Sequence, residues 1–85
     1  MLHPAPDVVA RQLGESAVLI RLTTNRIYEL NLTGARLWEL VGSGATVGSI
    51  LERLTEEFDA PPDTIRGEIE DLVRDLLAEG LVVEG

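Results

Sequence analysis

Between Arg26 and Val41 the spacing of apolar positions changes in mid-run, and the change predicts a strand that hands over directly to a helix. In Arg26 to Leu30 the apolar residues worth burying, Tyr28 and Leu30, are two apart and share one strand face. After Asn31, the residues Leu37, Trp38, Leu40 and Val41 recur at intervals of one, three and four, which places them on one helix face. Asn31 and Thr33 can each cap a helix start through a side-chain oxygen, so the switch has local chemistry as well as pattern.

Before this switch, DVVARQL and AVLIRLTT read as two strands rich in β-branched residues, joined by a short turn at Gly14 and Glu15. In the second, Val18, Ile20 and Leu22 take one face and Ala17, Leu19 and Arg21 the other. Arg21 and Thr23 mark that second face as the wetter one. TTNR turns the chain, with Asn25 best able to accept a left-handed backbone. A meander of three strands results, and its outer strands have open edges unless something covers them.

After the switch the pattern is helical. A first helix covers roughly Thr33 to Val41 and ends in GSG. A second starts at Thr46 as N-cap and carries Val47, Ile50, Leu51, Leu54 and Phe58 on one face. Pro61 and Pro62 announce a third, from about Pro62 to Glu79, stopped by Gly80 as a C′ glycine. LVVEG adds a short terminal strand. Residues 1–6, with two prolines and no periodicity, read as a flexible arm, and His3 as a tail residue within it.

Composition narrows the function classes. The chain has 85 residues, 15 acidic and 7 basic, with net charge −8 and no cysteine. Disulfides, thiolate metal sites and cysteine nucleophiles are excluded. There is no lysine and the arginines are scattered, which opposes nucleic-acid binding because phosphate neutralisation needs clustered cations. The apolar runs are too short to span a membrane and the N-terminus lacks a signal-peptide pattern, so a cytoplasmic protein is expected. No nucleophile–base pair, metal-ligand spacing or phosphate-cradling glycine loop is present, so neither enzyme activity nor a cofactor is expected.

The third helix has two unlike flanks beside its apolar arc of Ile65, Ile69, Leu72, Val73, Leu76 and Leu77. On one side Arg66, Glu70 and Arg74 stand four apart and can pair with one another. On the other, Glu68, Asp71, Asp75 and Glu79 form an acidic strip without a matching cation in the helix. Such a strip is either a solvated face or the wall of a groove for something basic or rich in hydrogen-bond donors.

The succession AVLIRLTTNRIYELNLTGARLWELV, TVGSILERLTEEF and DLLAEGLV resembles the PqqD-like family, the recognition elements for ribosomally made, post-translationally modified peptides. IYELNLTGARLWEL is the most telling part, and its form is more similar to the stand-alone versions of lasso-peptide biosynthesis than to the protein of the quinone-cofactor pathway. The resemblance implies an α+β winged helix-turn-helix variant, three antiparallel strands packed on three helices, with residues 7–85 as a single peptide-binding domain. It also implies that a precursor leader peptide adds as a strand to the third strand, in the groove beside the third helix. On this chain Arg26, Ile27, Tyr28, Glu29 and Leu30 become the pairing edge, and Glu68, Asp71, Leu72, Asp75, Leu76 and Glu79 the facing wall. The implied partners are that leader and a separate enzyme, for lasso-like systems a leader-cleaving cysteine protease.

Two rivals stand beside this reading. An acyl or peptidyl carrier protein is similarly short and acidic, and Ser49 before Ile50 and Leu51 is similar to a prosthetic-group serine. No aspartate precedes Ser49, however, and the first thirty residues read as strands. A DNA-binding winged helix would share the fold but not the charge.

Overall fold

The computed structural model describes residues 2–84. Five strands and three helices follow in the order β1 (Leu2–Pro4), β2 (Val8–Leu13), β3 (Ser16–Arg21), β4 (Arg26–Leu30), α1 (Leu32–Gly42), α2 (Val47–Glu57), α3 (Pro62–Ala78) and β5 (Val82–Glu84). β2, β3 and β4 form the expected antiparallel meander in sequence order, so β4 is an edge. A second sheet pairs β1 with β5.

The local signals act where the sequence places them. Gly14, at φ 64°, opens the two-residue loop between β2 and β3, as a hairpin with a positive φ at its first loop position requires. Asn25 takes φ 55° in the loop before β4. Asn31 is the N-cap of α1, its Oδ1 accepting from the Gly34 N–H at 2.9 Å, and Thr46 caps α2 through the Ser49 N–H at 3.2 Å. Gly80 follows α3 at φ 71°.

The core joins Ala17, Leu19 and Leu30 from the sheet to Leu37, Leu40 and Val41 of α1, Ile50 and Leu54 of α2, and Ile65, Ile69 and Leu76 of α3. Trp38, Val47, Leu51, Phe58, Leu72 and Val73 pack around it, half-buried. α1 lies against β3 and α3 packs on α1 and α2.

Two expectations are corrected. Residues 2–4 are a strand rather than a loose arm: Leu2 is 1% exposed, and the Ala5 N–H donates to the Leu81 carbonyl at 2.9 Å. Its partner lies at the other end of the chain, and burial of Leu2 drives the docking. His3 sits exposed in this strand opposite Val83, and Met1 lies outside the described residues. The faces of β3 are also reversed, since Ala17 and Leu19 point into the core while Leu22 is exposed. Arg21 belongs to the inner face because it closes the end of the core. Its Nε donates to Asp7 Oδ2 at 3.1 Å and its Nη1 to the Glu79 carbonyl at 2.9 Å.

The carrier alternative does not survive this fold, because four strands, β1 to β4, fill most of the first thirty residues. No helix among the described residues is long and apolar enough to cross a membrane.

Candidate functional site

β4 hydrogen-bonds to β3 along one side, and among the described residues no strand pairs with its other side, which is open. Which of its groups face outward follows from one bond. The Leu22 N–H donates to the Asp7 carbonyl at 2.9 Å, which makes these opposite residues a hydrogen-bonded pair. Bonded and non-bonded pairs alternate along an antiparallel ladder, so Ile20 and Val18 also turn their backbone groups toward β2. Leu19, Ala17 and Arg21 therefore bond to Tyr28, Leu30 and Arg26 of β4. The unpaired N–H and C=O groups of the edge belong to Ile27 and Glu29.

α3 runs alongside this edge in the opposite direction, and a groove of about 760 Å³ separates the two. At the start of β4, Arg26 Nη1 meets Glu79 Oε2 at 3.2 Å, bridging strand to helix end. Further along, Tyr28 faces Asp75. Burial and the nearby charges of Asp75 and Glu79 hold the phenol above its ordinary pKa. At the far end Leu30 and Leu72 approach Gly34 of α1, where a Cβ would stand 3.2 Å from Cδ2 of each. The absence of a side chain there lets Leu30 and Leu72 pack closely against α1.

Seven of the eleven candidate residues line the groove: Tyr28, Glu29, Leu30, Glu68, Asp71, Leu72 and Asp75. Arg26 and Glu79 form the bridge at its end. Ile27 points away from the helices and is 66% exposed, contributing only its backbone to the edge. Leu76 is not part of the wall. It is 1% exposed in the core, because one residue beyond groove-lining Asp75 the helix has turned by about 100°.

The sequence pattern did not assign Leu13, Ser16, Ala17, Val18, Asn31, Thr33 or Gly34 to the site, and they complete the lining of the groove. The TG step after the cap was the available signal. The acidic strip is also less uniform than its spacing implied, since Arg74 Nη2 meets Asp71 Oδ1 at 3.2 Å instead of pairing with Glu70.

A family model, coenzyme PQQ synthesis protein D (PqqD), matches residues 16–82. The chain belongs to the PqqD family. The match spans the meander from β3 onward, all three helices and the first residue of β5. Among solved structures, TbiB1 in complex with the TbiA(β) leader peptide superposes with a TM-score of 0.87 at 23% identity, covering 98% of this chain and 96% of that one. Lasso peptide synthetase B1 complexed with the leader peptide gives 0.84 at 20% identity, covering 98% of each chain. At these identities the likeness is one of fold, and it covers nearly all of this PqqD-family chain. Among curated proteins, none matches by sequence.

Proposed function

We propose that this PqqD-family protein captures the leader of a ribosomally made precursor peptide as an added strand on β4, and presents the rest of the peptide to a separate enzyme. The observation that carries the reading is the open edge at Ile27 and Glu29 beside a groove walled by α3. Two proteins of the same fold, each in complex with a leader peptide, support it.

Energetics divide the work between edge and groove. Each hydrogen bond restored at the edge contributes about 0.5–1.5 kcal/mol net, while ordering a peptide residue costs about 1–2 kcal/mol. Backbone pairing therefore sets direction and register with little net affinity. Affinity comes from apolar leader side chains entering the groove, at about 1.5–3 kcal/mol for each one fully buried. The protein acts in the cytoplasm without catalysis or cofactor, and in a lasso-type pathway hands the leader to a cysteine-protease leader peptidase on another chain. Nucleic acid and membrane play no part.

Titration of fluorescently labelled leader, taken from the precursor encoded beside this gene, tests the reading. Saturable binding is expected. A flat titration at concentrations up to the millimolar range discards it.

A further inference from the structure

Among the described residues, the groove wall contains two carboxylates that no cation pairs, and an apolar side chain stands between them. Asp71 has Arg74 and Glu79 has Arg26, whereas Glu68 and Asp75 make no ion pair; no Lys or Arg lines the groove. Leu72 lies between those two, four residues after Glu68 and three before Asp75. At ~1.5 Å per residue these separations are about 6.0 and 4.5 Å along the helix.

An added strand meets this wall with its own repeat. Side chains two positions apart point the same way and stand about 6.6–6.8 Å apart. One inward side chain therefore falls opposite Leu72, whose Cδ2 packs beside Leu30 against Gly34. The next inward side chain on either side falls near Glu68 or Asp75. A Lys or Arg there lays its aliphatic stem along the groove and carries its charge to the carboxylate. The open edge calls for an extended peptide and the wall sets its chemistry.

We infer that the leader segment held in the groove carries an apolar residue flanked two positions away on each side by Lys or Arg. The inference rests on the proposed strand addition and adds the identity of the side chains. The pattern is symmetric, so it holds for a strand entering in either direction. An acidic segment is rejected, because it would bring like charges against Glu68 and Asp75.

The test uses labelled peptides with the centre Thr-Lys-Thr-Leu-Thr-Lys-Thr and an isomer, Lys-Thr-Thr-Leu-Thr-Thr-Lys, whose lysines fall on the outward face. Both have Ser-Thr flanks, and the natural leader runs alongside. The first peptide is expected to bind about tenfold more tightly than its isomer. Glu68→Gln and Asp75→Asn should each weaken it about threefold, as exposed pairs do, with the melting temperature unchanged. Equal binding of the two isomers, or no loss in either variant, overturns the inference and leaves leader capture standing. The same holds if only the natural leader binds and its affinity is indifferent to both substitutions. If the natural leader fails as well, the strand-addition reading falls with it.

Discussion

Proline substituted in turn along β4 separates an edge that receives a peptide from one that merely ends the sheet. At Tyr28 the backbone N–H belongs to the ladder with Leu19. Its loss removes a bond of about 0.5–1.5 kcal/mol and orphans a carbonyl at about 1–3 kcal/mol, so Tyr28→Pro loses about 2–4 kcal/mol. At ~0.05–0.15 kcal/mol per residue, a chain of this length has about 4–13 kcal/mol in total. The melting temperature should therefore fall by more than about 10 °C. At Ile27 and Glu29 the N–H points away from β3, so Ile27→Pro and Glu29→Pro break no bond within the protein and should melt within about 5 °C of the parent. Each removes one donor that a leader would use and sets a ring carbon in its path. Leader affinity should fall about tenfold, near the upper end of one lost hydrogen bond. Glu29→Ala keeps the N–H and serves as the side-chain control. Circular dichroism melting and fluorescence anisotropy read the two quantities. Unchanged binding in both outward variants refutes addition at this edge, and a Tyr28→Pro protein as stable as the parent refutes the assignment of inward and outward groups.

Two further outcomes follow from the packing and the charges. Leu2→Ala should lower stability by about 2–3 kcal/mol, seen as a fall of about 10–20 °C in melting temperature, because it empties a site 1% exposed between the termini and α1. Asp7 accepts hydrogen bonds from Thr23 Oγ1 at 2.6 Å and Arg21 Nε at 3.1 Å, and these hold its carboxyl below the ordinary value. A depressed folded-state pKa stabilises above the unfolded value and is lost as pH falls through the folded one. Stability measured by urea melts should thus decline below about pH 4, and Asp7→Asn should flatten that decline.

The residues that act on the backbone next to them were legible in the sequence. Asn31, Thr46, Asn25 and Gly80 each impose a local conformation, so the start of α1, the start of α2, the loop before β4 and the end of α3 stood where their chemistry put them. The period change at Asn31 likewise separated β4 from α1. What the sequence hid depends on partners far along the chain. Leu2–Pro4 is too short for a periodicity, and its strand exists because Val82–Glu84 lies beside it. Arg21 looked like the mark of a wet face, whereas its partners are Asp7 and the carbonyl of Glu79, 58 residues on. In the site, a helical wheel gives angles but not what stands opposite them. The family resemblance put Asp75 and Leu76 together on one wall, and the structure assigns the first to the groove and the second to the core.

The open side of β4 has a consequence for the empty protein. An unpaired edge is a template for any extended chain, a second copy of the same edge included. Two copies joined through β4 would bring Glu29, Glu68 and Asp75 of one toward those of the other, on molecules that each carry a net charge of −8. Like charges oppose that pairing. Under the proposed reading, the carboxylates that would welcome a cationic guest would also oppose the sealing of one open edge by another, and so leave the site accessible to that guest.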